Sequence, residues 1–452
     1  MTNRHAGDHS SPSESVRPTW SRSTRPVARR VAQPLQAFLE TETSSAVLLL
    51  AATVVALGWA NAPFGDTYST FWGTELTLRL GRWTLSNDLR GWVADGLMTL
   101  FFLLVGLEIK RELLTGELRE RRAALLPIAA AVGGMLVPAL IYLAFTAGTD
   151  AGSGFGVAMP TDVVFALAVL ALARNMPPGL RVLLLALAIV DDLGSIVVVA
   201  TTHPESVEVV PLLVSVSLLA LYGLLWRIHV RSVAVYVALG VASWISVSQA
   251  GLSPTISGVA VGLLTPAVAF QRPRAVSEEA HRVADETVDD PRPPDADAAH
   301  WLYLGGLSRE AVSPLARAEA FLLPWVSFLV VPLFALAYAG IEISRGAIAE
   351  AVTTRLGLGI LASRLIGKPV GITVAIAITA AFGVTLPTGV RTRHVIGMGA
   401  AAGIPFTVSL YLAQLSLPAD LLETATVAIL VAAGACGAAG LLILRGIGQR
   451  GS

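Results

Sequence analysis

The stretch Val182-Leu-Leu-Leu-Ala-Leu-Ala-Ile-Val-Asp-Asp-Leu-Gly-Ser-Ile-Val-Val-Val-Ala-Thr201 is predominantly apolar, yet it carries two adjacent aspartates, Asp191 and Asp192, near its centre. The apolar run before the pair would rise only about 14 Å as a helix, whereas the hydrocarbon core of a bilayer is about 30 Å thick. We therefore predict one membrane-spanning helix over Gly179–Thr201. Because each central aspartate costs about 2.5–3.5 kcal/mol on insertion scales, the pair is expected to face water or a cation. The sequence thus predicts a cation or proton site here.

Two other interpretations of this pair remain open. The sequence Asp-Asp-Leu-Gly also suits a turn between two short helices, although each half would be too short to cross a bilayer. Alternatively, the two carboxyl groups share a proton and have only a structural role.

The composition indicates an all-α polytopic membrane protein. Of the 452 residues, 54% are hydrophobic and only 14% are charged, whereas soluble chains carry about 25% charged residues. The formal net charge of +0 gives no reason to expect a nucleic-acid partner. The single cysteine excludes an internal disulfide.

Hydropathy divides the chain into about twelve apolar segments. They are predicted over Ser45–Asn61, Gly91–Leu113, Ala124–Ala147, Phe155–Ala173, Gly179–Thr201, Val209–Trp226, Val233–Val247, Leu252–Phe270, Ala320–Ile341, Ala351–Phe382, His394–Gln414 and Ala419–Leu444. Loops after even-numbered segments carry Lys and Arg, and most of the others carry almost none. The first loop, with Arg79, Arg82 and Arg90, is the exception. By the positive-inside rule, both termini are predicted to be cytoplasmic.

The soluble parts of the chain fall between and around these segments. A disordered cytoplasmic tail is predicted over 1–37, and a membrane domain with the first eight segments over 38–270. Residues 271–317 form an acidic, proline-containing cytoplasmic linker, predicted to be disordered over 271–300. The last four segments follow over 318–445, and a short tail over 446–452. Residues 74–86 alternate polar and apolar side chains around Gly81-Arg82, which predicts an external β-hairpin.

Two predicted spans are interrupted by glycine and proline. Pro160 interrupts the fourth, and Gly403 and Pro405 interrupt the eleventh. Two broken helices in corresponding positions indicate an inverted-repeat transporter whose site lies at the breaks. A Thr161-Asp162 pair at the head of the following half-helix suits a cap. The alternative for the first break is an ordinary helix start at the membrane surface.

Lys368 is the second candidate charge inside a span. The chain has only two lysines, Lys110 and Lys368, and uses arginine elsewhere. Since a buried lysine can lose its proton and an arginine effectively cannot, Lys368 is predicted to titrate or to pair with a carboxylate. A lysine that snorkels from a kinked helix end is the alternative. Arg364, on the same helical face, would be expected to repel it.

The second span supplies weaker candidates. Asp95 is a candidate for a pathway-lining residue. Glu108, Arg111 and Glu112 lie at the cytoplasmic end of this span, where solvated i,i+4 pairing would also explain them.

Four ordered motifs closely resemble NhaA-type sodium/proton antiporters. These are Phe101-Phe-Leu-Leu-Val-Gly-Leu-Glu-Ile-Lys-Arg-Glu-Leu113, Thr161-Asp-Val-Val-Phe-Ala-Leu167, Ala188-Ile-Val-Asp-Asp-Leu-Gly194 and Ile366-Gly-Lys-Pro-Val-Gly-Ile372. NhaA antiporters are themselves among the proteins from which the inverted-repeat rule was drawn. The resemblance covers about residues 38–444.

The resemblance implies a secondary antiporter of the bacterial inner membrane that expels Na⁺ or Li⁺ for a larger number of protons. Asp192 would be the cation ligand and proton carrier, and Asp191 would titrate against Lys368. Thr161 would contribute at the ion site, and Asp162 would offset the facing half-helix ends. No cofactor, no resident metal and no enzymatic activity are expected.

The resemblance further implies a cytoplasmic pH-responsive funnel and a homodimer formed through the external hairpin. Glu108, Arg111, Glu112 and Glu319 would belong to the funnel. Two family histidines after Glu319 are replaced by Ala320 and Leu323, so the pH of activation is expected to differ. Pro405 replaces a usual glycine, and Arg364 is an added cation.

Three rival functions are compatible with parts of the sequence. An intramembrane aspartyl hydrolase could use Asp162 and Asp192 from separate helices. A different coupled transporter, such as a proton/potassium exchanger or solute symporter, is the second rival. A passive cation channel is the third, but the sequence holds no filter motif.

Overall fold

The computed structural model describes residues 43–80, 83–116, 119, 121–173, 175–201, 207–288 and 298–448. The predicted tail over 1–37 lies outside these residues. In chain order the helices are α1 (Ser44–Ala60), α2 (Asp66–Trp72), α3 (Leu89–Thr115), α4 (Arg121–Thr146), the 3₁₀ helix α5 (Asp150–Ala158), α6 (Val163–Leu172), α7 (Pro178–Thr201), α8 (Val209–Arg227), α9 (Val233–Gln249), α10 (Thr255–Leu264), α11 (Pro273–Val288), α12 (Ala298–Glu310), α13 (Pro314–Tyr338), α14 (Arg345–Thr353), α15 (Arg355–Ala381), α16 (Thr392–Ala402), α17 (Thr407–Ser416) and α18 (Leu422–Gly448), the last preceded by a 3₁₀ turn at Ala419–Leu421.

The prediction of an all-α polytopic membrane protein is confirmed. Within the described residues, 7 helices are long and apolar enough to cross a membrane, and 2 further helix pairs are bent at a break. Three apolar helices are shorter: α1, α9 and α10. Together these elements coincide with the predicted segments. Helix α10 is shorter than its predicted segment. It ends at Leu264 because the backbone becomes extended at Thr265, just before Pro266.

Both predicted broken helices are present. Helices α5 and α6 meet at 46°, and helices α16 and α17 meet at 50°. Pro160 lies in the first break and Pro405 in the second. Proline lacks the amide donor that a continuous helix needs, so each break exposes main-chain amides and carbonyls at membrane depth. Such groups must find partners inside the protein.

The predicted hairpin is also confirmed. Strands β1 (Glu75–Leu80) and β2 (Trp83–Asp88) pair antiparallel, with Leu80 opposite Trp83. The connecting turn, Gly81-Arg82, lies outside the described residues. The indole Nε1 of Trp92 donates to the carbonyl of Leu76 at 2.8 Å, which attaches the hairpin to α3.

The prediction of disorder over 271–300 was wrong for its described residues. Helices α11 and α12 occupy most of them, and residues 289–297 lie outside the description. Val276 and Val283, two turns apart on α11, are buried. This apolar stripe gives α11 a face to bury, which the acidic composition concealed. The predicted final tail is likewise partly helical, since α18 continues to Gly448.

Helices α4 and α15 approach each other so closely that only glycine fits between them. A Cβ atom on Gly371 would lie 2.2 Å from the carbonyl oxygen of Gly133. Lys368 lies one helical turn before Gly371 and is 0% exposed. The glycine contact therefore sets how far the lysine-bearing helix inserts into the protein.

Candidate functional site

A single carboxylate joins the two broken helices. Oδ1 of Asp162 accepts from the amide of Phe165 at 3.3 Å, which caps α6. Its Oδ2 accepts from the amide and the hydroxyl of Thr407, at 3.2 and 3.0 Å, at the start of α17. The amide of Asp162 in turn donates to the carbonyl of Ile404 at 3.1 Å. A negative charge thus lies at two positive helix ends, where it is electrostatically favoured.

Asp191 and Lys368 form a fully buried ion pair. Their Oδ2 and Nζ atoms are 2.6 Å apart, and both side chains are 0% exposed. Thr161 donates its hydroxyl to the same Oδ2 at 2.6 Å, and Lys368 also donates to the carbonyl of Met159 at 2.5 Å. Among the described residues, Oδ1 of Asp191 has no hydrogen-bond partner. One carboxylate oxygen is therefore free to accept a proton or a cation.

Asp192 borders a cavity of about 510 Å³. Its side chain is nearly buried, and its carboxylate accepts no hydrogen bond from the described residues. Thr161, Asp162 and Thr407 border the same cavity, so it reaches the crossing of the broken helices. A carboxylate with two uncommitted oxygens at the floor of a cavity suits a hard cation or a proton.

The cavity also extends to the charged end of α3. Glu108, Arg111 and Glu112 all border it. Arg111 forms an ion pair with Glu319 of α13, in which the arginine side chain is 47% exposed and the glutamate 12%. The structure therefore brings together all four residues that the resemblance assigned to a funnel.

Asp95 does not border this cavity. It lies in a π-helical turn of α3, and its Oδ2 accepts from the side-chain amide of Asn87 at 3.2 Å. Its position beside the hairpin neither supports nor excludes the predicted pathway role, which stays a prediction.

Sequence reasoning missed several partners of the site. The carbonyl of Met159 is a main-chain acceptor, for which a sequence has no signal. Thr407 lies two residues after Pro405 and begins the helix that follows the second break. That position was a usable signal for a capping contact. For Arg364 the sequence predicted only repulsion of Lys368 and missed its partners, because the guanidinium donates to main-chain carbonyls of the first break.

Comparison with known proteins gives a consistent family assignment. The model of the family Na⁺/H⁺ antiporter 1 matches residues 36–444. The chain is 42% identical over 440 residues to Na⁺/H⁺ antiporter NhaA 2 of Sorangium cellulosum, covering 94% of this chain and 93% of that protein. It is 40% identical over 428 residues to Na⁺/H⁺ antiporter NhaA 2 of Myxococcus xanthus (93% and 90%). It is 42% identical over 438 residues to Na⁺/H⁺ antiporter NhaA of an Anaeromyxobacter strain (95% of each).

These matches cover both broken helices and every residue of the site. Because the relatives are transporters, the prediction that the chain is not an enzyme is confirmed, and the aspartyl-hydrolase alternative is wrong. The chain belongs to the NhaA-type Na⁺/H⁺ antiporter family.

Proposed function

We propose that this protein exchanges Na⁺ or Li⁺ for protons at Asp191 and Asp192. The observation that carries the proposal is the contrast between these neighbours. Asp191 is neutralised by Lys368 at 2.6 Å, whereas Asp192 borders the cavity without a hydrogen-bond or ion-pair partner among the described residues. A buried carboxylate without a countercharge is costly, so Asp192 needs a mobile cation or a proton.

Competition for the same oxygens couples the two ions. A proton on Asp192 removes the charge that attracts Na⁺, and a bound Na⁺ favours the ionised carboxylate. If only the occupied states expose the site to the opposite side of the membrane, cation and proton flow in opposite directions. The proton gradient then drives the exchange, and no cofactor is required.

The Asp191–Lys368 pair supplies a second exchangeable proton. When a cation binds between the two aspartates, it competes with the Lys368 ammonium for Asp191. A displaced ammonium in a buried site favours its neutral form, because burial disfavours an unpaired charge. Release of that proton, together with the one from Asp192, moves more positive charge inward than outward. The exchange is therefore electrogenic.

We place the protein in the bacterial inner membrane with both termini in the cytoplasm. The loop charges support this orientation through the positive-inside rule. The cavity mouth, with Glu108, Arg111 and Glu112, then faces the cytoplasm and takes up Na⁺ for export. Its carboxylates also give exchange a dependence on pH, and the ion pair of Arg111 with Glu319 links α3 to α13 in that response.

Transport by the purified protein in liposomes tests the proposal. With an acidic lumen, external Na⁺ or Li⁺ is expected to raise the lumenal pH, measured with a trapped pH dye across about pH 6–9. Asp192→Asn is expected to abolish the response, because the amide carries neither charge nor a transferable proton. Asp66→Asn, which removes a carboxylate at the start of α2, far along the chain from the site, is the matched control and should retain it.

Normal Na⁺-dependent proton movement in Asp192→Asn would refute the site assignment. A response to K⁺ in place of Na⁺ and Li⁺ would favour the proton/potassium exchanger, and no response to any of the three cations would reject antiport of these ions.

A further inference from the structure

Arg364 is the largest fully buried side chain in the described part of the protein. It lies in the π-helical turn Ser363–Gly367 of α15, four residues before Lys368. Ion pairing does not explain its burial, because no salt bridge found among the described residues includes it. Its partners are neutral groups of the two broken helices.

The guanidinium connects both breaks. Nη1 donates to the carbonyl of Pro160, and Nη2 donates to the carbonyl of Val157 at the end of α5. Nη2 also donates to the hydroxyl of Ser409 on α17 at 2.6 Å. The main chain of Arg364 contacts the second break as well, since a Cβ on Gly403 would lie 2.8 Å from its carbonyl oxygen. One residue of α15 thus holds three elements together.

The positive charge of Arg364 has the sign that the carbonyl oxygens around it favour. The last carbonyls of a helix have no intrahelical partner and form its negative end. Arg364 lies at such an end, just as Asp162 lies at the positive ends of α6 and α17. The planar fork of a guanidinium can bond several carbonyls at once, which a lysine ammonium at this position would do with poorer geometry.

The two cations of α15 therefore have different partners. Arg364 donates hydrogen bonds to neutral groups, two main-chain carbonyls and the hydroxyl of Ser409, and keeps its charge at all physiological pH values. Lys368 pairs with Asp191 and remains available for displacement. The other titratable groups that act on the guanidinium are Asp191 and the buried thiol of Cys436 on α18.

Arg364 also alters the balance of charge at the site. When all are ionised, the carboxylates Asp162, Asp191 and Asp192 exceed the cations Lys368 and Arg364 by one negative charge. Once Na⁺ has bound and the displaced Lys368 has released its proton, the same groups together with Na⁺ again carry one net negative charge. Without Arg364, two net negative charges would remain in a low-dielectric region.

We infer that Arg364 is a positioning residue of the ion site, which holds the two broken helices together and supplies a permanent positive charge that offsets one of the three carboxylates of the site. This inference rests on the proposed exchange at Asp191 and Asp192.

The test is Arg364→Met, which removes the charge. Arg355→Met, an exposed arginine of the same helix, is the matched control. We measure the pH profile of Na⁺-driven proton movement in liposomes, and Na⁺ affinity in detergent at alkaline pH with a radioactive sodium isotope.

In Arg364→Met the extra negative charge holds both protons and Na⁺ more tightly. The pH of half-maximal exchange should therefore rise by about one unit, a tenfold change in proton affinity, and Na⁺ should bind more tightly at alkaline pH. Arg355→Met should keep the wild-type pH profile. A wild-type pH profile and Na⁺ affinity in Arg364→Met would overturn the inference.

If Arg364→Met does not fold, Ser409→Ala decides, because it removes the hydrogen bond between the guanidinium and α17 without altering charge. A lower maximal rate with an unchanged pH profile supports the inference, and a wild-type rate overturns it. Failure of the proposed function itself would appear in the wild-type protein, as the absence of Na⁺-driven proton movement.

Discussion

Removal of the Lys368 charge isolates Asp191 in the protein interior, and the structure sets the size of the effect. At 2.6 Å, two unit charges attract each other by about 6 kcal/mol at an effective dielectric constant of about 20. Desolvation offsets much of this attraction, and loss of one partner of a buried pair costs about 3–5 kcal/mol. We therefore expect Lys368→Met to lower the melting temperature by on the order of 5–10 °C at alkaline pH.

The loss of stability in Lys368→Met should depend on pH, because a proton bound to Asp191 removes its unpaired charge. At acidic pH the lone carboxyl group is neutral, and Lys368→Met should approach wild-type stability. At alkaline pH the Asp191 carboxyl group either ionises without a countercharge or keeps a proton that it would lose in water. Both cost free energy, so the variant is least stable there. The assay is thermal unfolding in detergent, followed by intrinsic fluorescence between about pH 5.5 and 9.

The chain supplies its own control, because its other lysine, Lys110, donates to a main-chain carbonyl, that of Leu263, at 2.7 Å. Lys110→Met should lose about 1 kcal/mol or less at every pH. The double variant Lys368→Met/Asp191→Asn removes both charges and should recover most of the lost stability at alkaline pH. The charge argument is refuted if the double variant is as unstable as Lys368→Met, since packing would then explain the loss.

Three further predictions follow from other contacts. Asp162→Ala removes the cap of both α6 and α17 and should lower the free energy of unfolding by about 1–4 kcal/mol. That loss is roughly twice the one expected for Ser344→Ala, which uncaps α14 alone. Equal melting temperatures for the two variants would contradict the shared cap. Gly371→Ala should destabilise by about 1–3 kcal/mol through its clash with Gly133, whereas Gly434→Ala, with open space around it, should be neutral or slightly stabilising. Replacement of residues 75–88 by a glycine-serine linker is expected to convert a homodimer to a monomer in light scattering, and a dimer that survives the replacement would exclude the hairpin as the contact.

The linker shows where composition misled. Residues 271–300 are rich in aspartate, glutamate and proline, a composition that usually cannot bury enough apolar surface to fold. Yet α11 places Val276 and Val283 on one face, and both are buried. The main-chain amide of Gln271 donates to the carbonyl of Glu310 at 3.1 Å, and Arg231 pairs with Glu310 at 2.6 Å. A few apolar residues on one helix face were enough to form a buried contact in a segment whose overall composition is typical of disorder.

The sequence alone determined the membrane class, the span with Asp191 and Asp192 at its centre, and both broken helices. These features are local, because hydropathy over about 20 residues and the missing amide of proline act within one segment. The same locality explains why the hairpin was predictable from its alternation and its two-residue turn.

Only the tertiary structure decided which charges meet. Lys368 pairs with Asp191 across 177 residues of sequence, and Thr407 bonds to Asp162 across 245. Spacing along α15 predicted that Arg364 and Lys368 would repel each other. It could not predict that the first break provides carbonyls for Arg364 and that Asp191 on α7 provides a carboxylate for Lys368. The partner of a buried charge depends on how the helices cross, and that crossing is fixed by contacts such as Gly133 with Gly371, between residues far apart in sequence.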